Sequence, residues 1–137
     1  MKKKVSIIVS LVLAMIMSLS VTLADYAYTE VPEYNVGGRD FIIRNGISDN
    51  RKNAYAKTTG GTNTYNTVVA DFYYMNYTTH QSGWYLDYTL SSSIEAKVNA
   101  PELSYAENKK YYEVNSDHGG SYNGSSFTRG GIQTLID

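Results

Sequence analysis

Cysteine is absent from all 137 residues, so disulfides, thiolate metal ligands, cysteine nucleophiles and lipid-modified cysteines all drop out of consideration. Histidine occurs only at His80 and His118, inside the turn-like stretches THQSG and SDHGGS, and neither sits in a spacing such as HExxH. Both read as solvated loop histidines, and no metal or cofactor is expected. Proline occurs twice, at Pro32 and Pro101. After the N-terminal stretch no segment shows the i, i+3, i+4, i+7 apolar spacing of an amphipathic helix, which excludes a helical bundle.

The N-terminus is where the long apolar run lies. MKKK is a basic lead, residues 5–21 are apolar except for serines, and Thr22-Leu23-Ala24 ends on a small residue, the layout of a secretory signal peptide cleaved after Ala24. As a membrane anchor the run is barely long enough to cross ~30 Å of hydrocarbon, and Asp25 and Glu30 look like a mature N-terminus. The expected product is secreted and extracellular, with no membrane span after cleavage. Removing 24 of 137 residues leaves 113 and takes away three lysines, so Lys plus Arg falls from 12 to 9 against 13 Asp plus Glu. A formal charge of about −4 argues against nucleic acid or anionic lipid, which both need a basic face.

Tyrosine fills the space left by the missing residue types, with 14 in the chain, all after Ala24, beside 11 glycines. Short alternating runs between Gly, Asn and Ser clusters predict strands at residues 40–44, 53–58, 67–77, 84–90, 94–100 and 111–116, and around Phe127. Turns are expected at Asn45-Gly46, Gly60-Gly61, Ser82-Gly83 and Asn123-Gly124. Seven short strands in about 100 residues indicate an all-β domain, a small antiparallel β-sandwich or alternatively a small β-barrel, over residues 40–137. Residues 25–39 read as an irregular lead-in or edge strand, and 101–110 as a long loop with room for one helical turn.

Residues 94–100 alternate cleanly, with Ile94, Ala96, Val98 and Ala100 on one face and Glu95, Lys97 and Asn99 on the other. The preceding run keeps the same parity in Trp84, Leu86, Tyr88 and Leu90. Ser91-Ser92-Ser93 is therefore either a bend in one long strand or a hairpin loop pairing Leu90 with Ile94 and Asp87 with Lys97.

The stretch ADFYYMNYTTHQSGWYLDY, residues 70–88, holds seven aromatic side chains. Two hairpin registers suit it. Asn76 opposite Trp84 collects Phe72, Tyr74, Trp84, Leu86 and Tyr88 on one face, whereas Tyr77 opposite Trp84 collects Tyr73, Met75 and Tyr77 with Trp84, Leu86 and Tyr88. Either face has enough rings to be the core, and the leftover rings either pack on a wet sheet face or form a contact surface. The candidate binding residues are Tyr73, Tyr77, Trp84 and Tyr85, with His80 at their edge.

Catalytic patterns are sparse. Gly120-Ser-Tyr-Asn-Gly124 has Tyr122 where a nucleophile elbow needs serine, and Asp117-His118 beside Ser116 or Ser121 would form a triad only by an accident of tertiary folding. Asp71 and Asp87 would sit on neighbouring strands, the placement of a glycosidase carboxylate pair, but two wet-face carboxylates are the plainer reading. No catalytic residue is assigned, and the chain is read as a non-enzyme.

The lysine-led signal, the Cys-free mature chain, the Tyr- and Ser-rich alternating strands and the C-terminal HGGSYNGSSF together resemble small secreted β-sandwich proteins of Gram-positive bacteria. Lactococcin-like bacteriocins, which act on the envelope of competing cells, are one branch of that type. This chain differs from them in its acidity and in ending QTLID, without a terminal aromatic. The expected function is non-catalytic surface contact at or outside the cell envelope, with a cell-wall glycan or an envelope protein as partner. A bacteriocin-like antimicrobial and a carbohydrate- or wall-binding module are the alternatives.

Overall fold

The computed structural model describes residues 26–91 and 94–136, so the expected signal peptide, residues 1–24, lies outside the described residues. Eight strands follow one another: β1 (Tyr26–Val36), β2 (Arg39–Ser48), β3 (Ala54–Thr59), β4 (Tyr65–Asn76), β5 (Gln81–Ser91), β6 (Glu95–Asn99), β7 (Lys109–Tyr122) and β8 (Ser125–Leu135). They form two antiparallel sheets, ordered β1-β2-β3-β6 and β5-β4-β7-β8. The sheets pack face to face and are not closed into a barrel, so of the two expected all-β forms the open one is present. A single 3-10 turn, Tyr105–Glu107, sits in the loop where one helical turn was expected.

The core explains why these strands form two layers. Ala54, Ala56, Ala96 and Val98 of the first sheet are at most 3% exposed, and they face Val68, Ala70, Phe72, Tyr111 and Val114 of the second. Small residues on one inner face leave room for rings on the other, which lets two sheets close to about 10 Å without voids. Tyr111 donates its hydroxyl proton to the Pro101 carbonyl at 2.7 Å, so its buried oxygen is satisfied. Phe41, 0% exposed, extends the core at the far end, where Phe127 meets it edge-on and stacks on Tyr34.

Turn chemistry was legible at some places and misleading at others. Asn123-Gly124 closes β7 onto β8 with both residues at positive φ, and Gly37-Gly38 does the same between β1 and β2. Asn45-Gly46 and Ser82-Gly83, by contrast, are not turns but lie inside β2 and β5. Each of these glycines stands opposite a tyrosine, Gly46 across from Tyr55 and Gly83 across from Tyr74. A Cβ at either glycine would collide with the ring lying over it. The glycine signal there marks a close approach of a side chain, not a reversal of the chain.

The strands on either side of the serine segment do not form a hairpin. Leu90 pairs with Thr67 and Lys97 with Lys57, so the expected Leu90–Ile94 and Asp87–Lys97 hairpin pairs are absent. Ser92 and Ser93 lie outside the described residues, but the strands on either side of them belong to different sheets. The chain leaves the second sheet at the end of β5 and enters the first at β6. Residues 26–36 take the edge-strand form of their expectation, with a register break between Val31 and Tyr34.

Candidate contact surface

The β4–β5 hairpin closes through an Asx turn. The Asn76 side-chain oxygen accepts the N–H groups of Thr78 and Thr79, and the His80 N–H donates to the Asn76 carbonyl with His80 at φ 57°. The reversal thus spans residues 77–80, shorter than the expected loop at 78–83. It sets Tyr73 opposite Trp84, a register different from both expected ones. The difference from Tyr77 opposite Trp84 is an even number of residues, so the same residues still share a face: Tyr73 and Met75 with Trp84, Leu86 and Tyr88.

That face points outward, contrary to the expectation that it would suffice as a core. Trp84, Leu86, Tyr88 and Leu90 are 58%, 55%, 68% and 61% exposed, and Val69 and Tyr65 of β4 lie beside them at about 42–43%. Their roughly several hundred Å² of apolar surface is at the upper end of what a soluble monomer shows in one patch. The inner side of the hairpin is built from Phe72, Tyr74 and Tyr85. Tyr74 and Tyr85 stack with centroids 5.2 Å apart, and both meet Tyr111 edge-on at 6.3 and 6.5 Å. Burial raises the pKa of Tyr85 and, more strongly, that of Tyr111.

The five sequence-based candidates therefore separate. Tyr73 and Trp84 form a cross-strand pair on the outer face. Tyr85 turns inward and belongs to the rings packed on the core. His80 is exposed at the hairpin tip. Tyr77, 39% exposed, is already engaged: the Arg51 guanidinium lies 5.6 Å and the Lys110 ammonium 5.4 Å from its ring centre, and Arg51 donates to its hydroxyl at 3.0 Å. The sequence reading missed Leu86, Tyr88, Leu90 and Val69 as surface residues, although it had grouped the first three with Trp84 on one face.

Cations account for much of the tyrosine excess. Arg39 lies over Tyr122, Lys52 over Tyr105, Lys97 over Tyr55 and Lys109 over Tyr74, all at 4.8–5.6 Å. Lys52 is only 4% exposed, and among the described residues no carboxylate forms an ion pair with it. Its ammonium donates to the carbonyls of Ser104 and Lys109 and so pins the 101–110 loop to the β2–β3 loop.

Across the second sheet the outer face changes from apolar to acidic. Glu113 accepts from Asn115 at 2.6 Å and from Gln133 at 2.8 Å, and Asp117 accepts the Gly131 N–H at 3.1 Å. A shallow cleft of about 70 Å³ runs between Val69, Asp71, Asn115 and Asp117. Asp71 faces Leu86 and Asp87 faces Ala70, on alternate sides of the sheet, so the two carboxylates do not converge as a glycosidase pair. Asp87 instead caps the Tyr88 N–H at 2.8 Å. Among the described residues no three His, Asp or Glu side chains converge as metal ligands.

His118 corrects the loop-histidine expectation. It lies within the 14-residue strand β7, 1% exposed, with Nδ1 2.8 Å from the Thr58 hydroxyl and Nε2 2.6 Å from the Ser116 hydroxyl. Ser116 donates to Asn45 at 2.8 Å, and the Asn45 amide donates to the Ile132 carbonyl at 2.9 Å. Because Ser116 donates to Asn45, Nε2 carries the proton of the neutral imidazole and donates to Ser116, and the single Thr58 hydroxyl proton goes to either Nδ1 or the Thr67 carbonyl 2.8 Å away. Burial pushes the His118 pKa down to about 4, and the neighbouring Asp117 offsets only part of that. Ser116 and His118 touch as a nucleophile and base would, but the orienting amide sits behind the serine and all four side chains are at most 4% exposed. The cluster joins the two sheets.

No helix among the described residues is long and apolar enough to cross a membrane. Comparison with protein-family models, with curated proteins and with solved structures gives no match, so the chain is placed by its own residues and geometry.

Proposed function

We propose that the chain is secreted by its N-terminal signal and acts without catalysis, using the outer face of the second sheet to grip a protein of the cell envelope. The observation that supports this reading is the row Trp84, Leu86, Tyr88 and Leu90, four consecutive outward positions that are each more than half exposed. A solvated sheet face ordinarily alternates apolar inside with polar outside, and β5 does the reverse. Isolated exposed apolar side chains are unremarkable, whereas a contiguous row marks a site of contact.

The composition of the row favours a protein over a glycan. Sugars stack on flat rings flanked by hydrogen-bonding groups, and here Leu86 separates the two rings and Leu90 follows the second. The acidic flank at Asp71, Glu113 and Asp117 suits a partner whose apolar patch is bordered by Lys or Arg, and it disfavours an anionic lipid surface. A bacteriocin-like role rests on the resemblance alone and adds one expectation, inhibition of related bacteria in a spot assay.

Trp84 is the sole indole, so its emission reports this face directly. Titrating the purified secreted chain with Gram-positive envelope fragments is expected to give a saturable blue shift as the indole leaves water. Protease treatment of the fragments should remove it. An unmoved emission, or a shift that survives protease and is lost with glycan digestion, contradicts the protein-partner reading.

A further inference from the structure

We infer that β5 pairs with β5 of a second copy of this chain, joining two second sheets edge to edge into one eight-stranded sheet. This is independent of what the outer face binds, because it rests on the backbone edge rather than on the apolar row.

Four strands end the two sheets, and three carry devices that discourage pairing. β1 contains Pro32 and a register break between Val31 and Tyr34. β6 is only five residues long and projects Glu95 and Lys97 outward. β8 carries the exposed Arg129 and a break in register opposite Ser116 and His118. β5 has none of these. It runs 11 residues in unbroken register with β4, contains no proline, lysine or arginine, and has a single charge at Asp87.

The direction of its free backbone groups follows from one hydrogen bond. The Tyr88 N–H donates to the Asp87 carboxylate, so Tyr88 turns its peptide groups away from β4. Alternate residues of an antiparallel strand present both N–H and C=O to the same side. Ser82, Trp84, Leu86 and Leu90 therefore point theirs outward as well.

Symmetric pairing has few registers, and charge selects among them. A twofold at Asp87 would set Asp87 against its own copy, two like charges directly opposed. A twofold at Leu86 sets Leu86 against Leu86 and Trp84 against Tyr88 of the other copy, with Asp87 facing Tyr85. Every outward residue from Ser82 to Leu90 then exchanges backbone hydrogen bonds with an outward residue of the second copy, and the Trp–Tyr pairs lie side by side on the outer face. In this arrangement Asp87 acts as the brake, because its carboxylate occupies the Tyr88 N–H that pairing requires.

Sedimentation of the purified secreted chain over a wide concentration range is expected to show a reversible monomer–dimer equilibrium. Leu86→Pro removes one outward N–H and no bond to β4, and should weaken the dimer at least roughly tenfold. Leu86→Lys, at an exposed position that tolerates charge, should do the same by setting two ammonium groups face to face. Asp87→Ala should tighten it several-fold, a gain that unfolding cannot mimic. Val69→Lys, on the outer face one strand inward, should leave it unchanged. A chain that stays monomeric throughout overturns the proposal, as does a dimer that survives both Leu86 variants and is lost in Val69→Lys. No envelope component enters this experiment, so its outcome stands apart from that of the Trp84 titration.

Discussion

β5 and β6 are written in the same alternation and meet opposite fates. Both place apolar residues at even positions, Trp84 to Leu90 in one and Ala96 and Val98 in the other, yet Ala96 and Val98 are at most 3% exposed while every member of the first set is more than half exposed. The chain changes sheets between them, so one parity that faces solvent in β5 faces the core in β6. Alternation distinguishes two faces of a strand but does not say which is inside. That is decided by what the inner layer can accommodate. The alanines of β3 and β6 sit where sheet meets sheet, and the inward positions of β5 go to Tyr85, which stacks on Tyr74, and to the polar Asp87 and Thr89 at the rim.

Substitution should expose this contrast most strongly at the buried member. Val98→Asp places an unpaired carboxyl between the sheets and is expected to cost about 3–5 kcal/mol, enough to unfold the domain in a denaturant titration. The matching Leu86→Asp should change the stability of the monomer by no more than about 0.5 kcal/mol, because in the single chain its side chain is already in water.

Acid should weaken the inter-sheet cluster next. His118 titrates at about 4 when folded and at 6.5 when free, so between those values the unfolded chain binds more protons than the folded one. Its contribution is therefore complete above pH 6.5 and declines as pH falls toward 4, by about 3 kcal/mol in total. His118→Gln should flatten that window in urea titrations run across it, at some cost in stability at neutral pH.

The ring-over-glycine device should give a middle-sized effect. Gly83→Val drives a branched side chain into Tyr74 and should cost roughly 1–3 kcal/mol while disturbing the tyrosine signals of near-ultraviolet circular dichroism. Trp84→Ala should have as small an effect on stability as Leu86→Asp, within about 0.5 kcal/mol, although it should abolish binding to envelope fragments.

Much of this architecture could be read from the chain. The strands and the Asn123-Gly124 hairpin follow from alternation and turn chemistry that act over a few residues. Longer-range features could not. Asn45-Gly46 has the composition of a hairpin turn, but the Asn45 amide is consumed by Ile132 and Ser116, far along the sequence, and Gly46 is needed by the ring of Tyr55. His118 looks like a loop residue because two glycines follow it, yet Gly120 is there because Phe41 packs against it. For the contact face, the grouping of Tyr73 with Trp84, Leu86 and Tyr88 was legible from parity. Its outward direction was not, since it depends on the turn closing at residues 77–80 and on which sheet receives β6.

The environment of Trp84 tests the central point most directly. The folded chain should emit like a free indole in water and be quenched by acrylamide nearly as efficiently as the urea-unfolded chain. A blue, shielded emission from the folded chain would place Trp84 in the core and contradict the outward assignment of β5.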